Sequence, residues 1–365
     1  MSKNLNGEND FDPDTISTLF NRNGYVLLEN FLPISMIDEL LIETKNLVEQ
    51  YDPQQTLNNE ENEEEVTVFN AGKKQSANEY FLSSSDKIRY FLEQDAWDEQ
   101  NHCFRVSKIN SLNKIGHALH WLNPVFKQFT FQKRFQMIAR SIGLEDPLIV
   151  QSMVIFKNPY IGAEVPEHQD ATFLYSTPEP RVVGIWIPLE DATETNGCLQ
   201  FIPGSHRTHP LRKRWIRHHD PIDGRIQMKD QYGDWSNGGQ EKTEHEINND
   251  EEKNKLNKSN FVSVPAPKGS CILIDGLVVH RSDPNLSNKA RPAYTFHIFD
   301  QGYLHDDVDD DDDDKQKILE HQSTTTTTKS KPKRQWDSLN WLQPTDQYSF
   351  PRLYCNDFDD DDDDV

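Results

Sequence analysis

The sequence predicts one mainly β domain with flanking helices. Three observations lead there. Apolar runs of strand length occur at 147–156, 182–189, 271–279 and 292–299. Helical periodicity lies ahead of these runs. The residues of one candidate site extend from His168 to Arg291, so both halves of the 365-residue chain must share a single core.

The elements follow in chain order. Asp14 is expected to cap a short helix ending near Gly24, and Tyr25 to Phe31 reads as a strand. Ser35 opens a longer helix that carries Ile37, Leu40, Leu41, Thr44, Leu47, Val48 and Tyr51 on one face. A further helix near Gln132 to Ile142 stops at Gly143. Such helices would buttress one face of the β-core. Asn196-Gly197 marks a turn between apolar runs. Cys271 to Val279 reads as a strand through a narrow turn or bulge at Asp275-Gly276, and Pro292 to Phe299 as its hairpin partner after a polar turn, Asp283 to Lys289.

The chemistry starts from His168-Gln169-Asp170. Two histidines and one carboxylate hold a ferrous ion by one octahedral face and leave positions open for a chelating co-substrate and oxygen. His-x-Asp is weak evidence alone, since it recurs at His218/Asp220 and His305/Asp307. The latter opens an aspartate tract, and the former lies in a polar stretch with no strand pattern on either side. His168 sits between two apolar runs, where a rigid sheet can hold ligands. Several histidines compete for the third ligand position. His280 is preferred over His297, because the expected hairpin puts Arg291 level with His280, whereas His297 lies six residues further along, roughly 20 Å at ~3.4 Å per residue. The Arg291 fork suits the distal carboxylate of a dicarboxylate whose other end chelates the metal, and 2-oxoglutarate fits.

These segments, with Asn196-Gly197-Cys198-Leu199, Pro203-Gly204-Ser205-His206, Asn113 to His120, Gln151 to Lys157, Gly184-Ile185-Trp186-Ile187 and Asn340 to Thr345, together resemble the phytanoyl-CoA dioxygenase family. The similarity runs from about Asp12 to Phe299 and resumes at Trp336 to Tyr354. It implies a double-stranded β-helix (jelly-roll) core and an Fe(II)/2-oxoglutarate dioxygenase, with His168, Asp170 and His280 on the metal and Lys114, Met153, Trp186, Ser282 and Arg291 lining the 2-oxoglutarate site. It also implies that 336–354 packs back on a domain spanning 12–300. Around that domain, 1–11 reads as a disordered start, about 221–260 as a polar insert, 301–335 as an Asp/Thr-rich excursion and 355–365 as an acidic tail.

With that ligand set, oxidative decarboxylation of 2-oxoglutarate by O2 would yield succinate, carbon dioxide and an oxidant that hydroxylates a substrate carbon, ascorbate serving as a supporting reductant. Asp170 argues against halogenation, which needs the carboxylate position vacant. A non-catalytic scaffold that recruits basic partners through its acidic tracts is the alternative, but its signature would be a lost ligand. A cupin-like zinc hydrolase would not need Arg291. Trp186, Met153 and Phe156 also suit plain core burial, and His117 and His206 suit structural hydrogen bonding.

The formal charge of -23 describes the tracts more than the domain: the runs at 306–314, 357–364 and 60–65 carry eight, seven and five carboxylates and account for all but about three of the excess. Such acidity makes nucleic acid a poor partner. Arg207, Arg212, Lys213, Arg214 and Arg217 could meet an anionic substrate such as an acyl-CoA phosphate, although a solvated loop is the favoured reading. Four cysteines without metal-pair spacing and no membrane-length apolar stretch lead to the expectation of a cytoplasmic monomer acting on a small molecule, a carboxylic acid or acyl-CoA.

Overall fold

A computed structural model describes residues 11–53, 68, 78–98, 100–219, 226–233, 235, 260–303 and 332–354. The core is two antiparallel sheets facing one another. The larger has seven strands in the spatial order Tyr25–Leu28, Cys271–Asp275, Val182–Pro188, Ala293–Asp300, Pro147–Ile155, Leu112–His117 and Ile88–Leu92. The smaller has four, Val262–Val264, Leu199–Phe201, His280–Ser282 and Val165–His168. This is the jelly-roll expected from the sequence.

Period-2 alternation divides each central strand between two apolar layers. Val183, Ile185 and Ile187, with Tyr294, Phe296 and Ile298, face outward and bury against Phe20, Ile37, Leu40, Phe126, Phe135 and Ile138. Those last six belong to the helices Pro13–Asn23, Ile34–Gln50, Pro124–Thr130 and Lys133–Ser141. Trp186, Ile272, Ile274 and Ala293 face inward and meet Leu199, Phe201 and Val264 of the smaller sheet. Covered on both faces, Val182–Pro188 is buried at every position, which is why it reads as a continuous apolar run.

Two local expectations need correction. The first helix is capped by Asp12, whose carboxylate accepts from the Thr15 amide at 3.0 Å, and not by Asp14, which falls in the first turn because Pro13 begins the helix. Gly24 ends it in the left-handed conformation at φ 78°. More consequentially, 271–279 and 292–299 are not a hairpin. Cys271–Asp275 lies between Tyr25–Leu28 and Val182–Pro188, whereas Ala293–Asp300 lies between Val182–Pro188 and Pro147–Ile155. At Gly276 the chain leaves the larger sheet, and His280 begins a strand of the smaller one. A β-carbon at Gly276 would lie 2.8 Å from the Val182 carbonyl oxygen, so the crossing needs glycine there.

The polar stretch around His218 holds a strand after all: Lys213–His219 pairs with Ile226–Tyr232, the latter inside the segment expected to be a polar insert. Its apolar side chains, Trp215, Met228 and Ile226, pack against Phe81 and Trp341, a tertiary contact that weak local alternation does not announce. Residues 332–354 lie along the body: Trp336 pairs with Ser176, the Ile149 amide donates to the Pro351 carbonyl at 2.9 Å, and Leu353 is fully buried. His305/Asp307, the threonine run and both aspartate tracts fall outside the described residues.

His120 ties this C-terminal segment to the core, its Nδ1 2.8 Å from Ser152 Oγ and its Nε2 2.7 Å from Tyr348 Oη. Tyr348→Phe strands a buried imidazole nitrogen, and urea unfolding is expected to show a loss of ~1–3 kcal/mol with an unchanged m value. A midpoint equal to the parent's would remove this pair from the account of how the segment is held.

Candidate metal centre

His168 and His280 end up side by side because their strands are neighbours in the smaller sheet, where the two residues are directly opposed in register. Opposed residues project to the same face, and here the ring centroids are 4.2 Å apart. Asp170 follows His168 in a single 3-10 turn, Asp170–Thr172. That turn is pinned by the Ala171 amide donating to the Gly276 carbonyl at 2.9 Å. Gln169 anchors the turn again, its amide donating to Leu277 O at 2.7 Å and His209 O at 3.2 Å. Asp170 Oδ1 lies 3.5 Å from His168 Nε2 and 3.7 Å from His280 Nε2. One donor atom from each of the three side chains falls within 4.8 Å of the others.

The proton positions suit a cation. His168 Nδ1 is 2.8 Å from the Pro166 carbonyl and His280 Nδ1 3.1 Å from the Val278 carbonyl. A carbonyl only accepts, so each Nδ1 carries a hydrogen and each Nε2 is the atom turned toward Asp170. Burial opposes the charged form of His168, but the Asp170 carboxylate beside it raises it above the usual imidazole range. Burial, reinforced by the neighbouring His168, pushes His280 down to about 4 and keeps it neutral. Burial opposes the Asp170 carboxylate, yet the imidazoles of His280, His297 and His168 gathered around it hold it well below the usual carboxylate range.

The larger sheet forms the facing wall. Its cross-strand register lines up Gln151, His297 and Gly184 in one row, and Gly116, Met153, Thr295, Trp186 and Ile272 in the next. Arg291 enters just before Ala293–Asp300. It is only 2 % exposed, its guanidinium carbon 5.2 Å above the Trp186 ring. Its Nε and Nη1 are buried and have no hydrogen-bond partner among the described residues, and burial lowers it to about 10. The sequence-predicted lining residues therefore fall as follows. Met153 and Trp186 share a row, with Arg291 over Trp186. Ser282 stands in the opposite sheet two residues beyond His280, its hydroxyl donating to Gly197 O at 2.8 Å. Lys114 is buried opposite Ile155, its Nζ 5.0 Å over the Phe81 ring, and desolvation lowers it to about 7.

Sequence reasoning missed Thr295, between Met153 and Trp186 in the row, although counting in twos from Ala293 would have reached it. It also missed Lys157, whose ammonium donates to the carbonyls of Ala163, Asp283 and Ser282 at 2.7, 2.6 and 3.2 Å and ties together the loops around Arg291. Other candidates lie elsewhere. His117 Nδ1 bonds Ser84 Oγ at 2.7 Å, and His206 Nε2 bonds the Asn21 carbonyl at 3.0 Å, both structural as expected. The basic stretch is largely committed to the fold: Arg214 pairs with Asp337 at 3.1 Å, Arg217 donates to Trp341 O at 2.7 Å, Lys213 pairs with Asp230 at 2.9 Å and Arg207 donates to Arg22 O at 3.0 Å.

On the open side, aromatic rings border the histidines. Phe173 is exposed, its ring 6.0 Å from His168 and 6.1 Å from Trp215, which in turn is 6.0 Å from Phe81. The interior thus presents a three-ligand cation set, a buried guanidinium with two nitrogens unbonded among the described residues, and an aromatic rim. No helix among the described residues is long and apolar enough to cross a membrane. The cysteines among them, Cys103, Cys198 and Cys271, are free thiols.

Comparison with known proteins agrees with this geometry. The family model for phytanoyl-CoA dioxygenase (PhyH) matches residues 20–293. The chain is 37% identical over 336 residues to the phytanoyl-CoA dioxygenase domain-containing protein 1 homolog of Caenorhabditis briggsae, covering 92% of this chain and 97% of the relative. It is likewise 37% identical over 335 residues to phytanoyl-CoA dioxygenase domain-containing protein 1 of Bos taurus, covering 92% and 96%. Among solved structures, the non-heme alpha ketoglutarate dependent carbocyclase SnoK from nogalamycin biosynthesis matches with a TM-score of 0.50 at 15% identity, over 80% of this chain and 85% of that one, a likeness of fold. The chain belongs to the phytanoyl-CoA dioxygenase family.

Proposed function

We propose that this protein is an Fe(II)- and 2-oxoglutarate-dependent dioxygenase that hydroxylates a small molecule with an apolar body. One observation carries the reading: a fully enclosed guanidinium with two orphaned nitrogens sits in the same interior as a His-Asp-His set. An unpaired buried charge costs several kcal/mol, a cost that a bound carboxylate offsets. A scaffold has no use for that expense, and a zinc hydrolase needs no anion grip.

His168, Asp170 and His280 would hold the iron, two neutral imidazoles and one carboxylate being a donor set suited to Fe(II) with open positions. When bound, the iron supplies the redox chemistry, coupling oxidative decarboxylation of 2-oxoglutarate to succinate and carbon dioxide with hydroxylation of a substrate carbon. Arg291 receives the far carboxylate as a two-pronged donor, with Trp186 beneath the guanidinium. In each sheet, two residues separate the metal row from the Arg291 end, Gly184 to Trp186 and His280 to Ser282. That is roughly 7 Å at ~3.4 Å per residue, a span that suits a five-carbon diacid. Met153, Thr295 and Trp186 form an apolar floor that excludes water from the keto acid, and Ser282 closes the opposite side. Lys114 adds a second cation. Phe173, Trp215 and Phe81 offer the substrate an aromatic border beside His168. Because Arg214, Arg217, Lys213 and Arg207 are already engaged, a free carboxylic acid suits the site better than a ligand gripped by its phosphates.

Anaerobic addition of Fe(II) and 2-oxoglutarate to the full chain should raise a metal-to-ligand charge-transfer band that Asp170→Ala lacks; a parent chain that stays colourless overturns the reading. Succinate release without added substrate then gives a baseline against which carboxylic acids and their CoA thioesters are screened. Arg291→Leu is expected to weaken 2-oxoglutarate on the order of 100-fold or more, since about 1.5–3 kcal/mol goes with each charge-assisted bond, while Fe(II) binding persists. Equal affinity in the variant would remove Arg291 from the site.

With its ammonium near half-ionised at about pH 7 in the ligand-free chain, Lys114 favours the 2-oxoglutarate dianion only when protonated. Affinity should therefore fall as pH rises through 7 in the parent and stay flat across that window in Lys114→Met. Isothermal titration at several pH values checks the difference.

A further inference from the structure

The Asp170 carboxylate is held from behind. Its Oδ1 faces the two candidate metal-binding imidazoles, whereas its Oδ2 lies 3.3 Å from Nε2 of His297, a residue of the opposite sheet. The other ring nitrogen of His297, Nδ1, is 3.1 Å from Nε2 of Gln151. The Gln151 carboxamide thus meets one ring nitrogen of His297 while the other, Nε2, is turned toward Asp170. The three side chains form one continuous polar row, Gln151 to His297 to Asp170. The far end of the Gln151 amide is buried and finds no partner among the described residues, so His297 is its one polar contact there.

The row is a product of sheet register. His297 is directly opposed to Gln151 on one side and to Gly184 on the other, all three projecting into the sandwich. Gly184 makes the room. A β-carbon there would come within 3.3 Å of Asp170 Oδ2 and 3.5 Å of His297 Nε2, pressing Oδ2 aside by a few tenths of an ångström. His297 and Asp170 are both nearly buried, at 8 % and 8 % exposure, so water competes little for the hydrogen bond.

We propose that His297 is a positioning residue, oriented by Gln151, which occupies Asp170 Oδ2 so that the carboxylate offers a metal Oδ1 alone. A carboxylate free to turn can bind through both oxygens and take a second coordination position. With Oδ2 engaged, one position per ligand is used and three of an octahedron stay open, the number that a bidentate keto acid and oxygen require. This inference rests on the metal-site reading above and adds a residue in contact with Asp170 rather than with the metal.

The test uses the metal-free full chain, titrated anaerobically with Co(II) and followed by its ligand-field absorption. Melting of the metal-free protein is measured alongside. His297→Leu keeps the bulk and removes the donor, and His297→Gln returns an N–H at about the reach of Nε2. The expected result is Co(II) binding ~10–100-fold weaker in His297→Leu, largely restored in His297→Gln, with the ligand-free His297→Gln chain melting close to the parent and His297→Leu lower but still in one cooperative transition. Gly184→Ala, which pushes on Oδ2, should weaken Co(II) in the same way. Binding within threefold of the parent in His297→Leu overturns the inference and leaves the metal site standing. Loss in both His297 variants overturns it too, by making the imidazole itself a ligand or a fold element. No Co(II) binding by the parent chain would sink the metal site along with it.

Discussion

A carboxylate buried between two sheets has to be compensated, and the centre of this molecule is organised around compensating Asp170. Three imidazoles from three strands converge on it, two at Oδ1 and one at Oδ2. The smaller sheet contributes the first two through one pair of opposed residues. The larger contributes the third from the middle of its central strands. A single charge thus connects both layers of the sandwich, and any shift of one sheet against the other is felt at the site.

The strands that supply this arrangement serve two cores at once. On Val182–Pro188 the odd-numbered residues Val183, Ile185 and Ile187 bury against helices, while Gly184 and Trp186 face the interior of the sandwich. Ala293–Asp300 does the same with Tyr294, Phe296 and Ile298 outward and Thr295 and His297 inward. The helices therefore do not approach the site; they hold the far face of the sheet rigid, which keeps the inner rows in register.

Two buried cations near the closed end show how differently the same cost can be met. Lys157, 1 % exposed, spends all three ammonium hydrogens on backbone carbonyls and is complete as it stands. Arg291, equally enclosed, is left with two nitrogens that no described group satisfies. The lysine fastens the loops, and the arginine keeps two donors open to the interior. Because the Arg291 amide also donates to the Lys157 carbonyl at 2.9 Å, the finished cation steadies the unfinished one.

Much of this was legible in the linear chain. Apolar runs of strand length located the central strands, a helical period located the long N-terminal helix, and His168, Asp170 and His280, singled out by the chemistry of their side chains, do come within 4.8 Å of one another. What could not be read was which strands are neighbours. The hairpin drawn from Cys271 to Phe299 put His280 and Arg291 in one sheet, whereas they stand in opposite layers, with His168 instead beside His280. The residues opposed across strands, Gln151, His297 and Gly184, are far apart in sequence and individually ordinary. Periodicity and residue type are local properties, so the sequence by itself determined the strongly periodic elements, the alternation of faces along them and which side chains were candidates for a site. Register and layer are decided by long-range backbone pairing and by how well two apolar faces fit, and only the tertiary structure could say which imidazole meets which oxygen of Asp170.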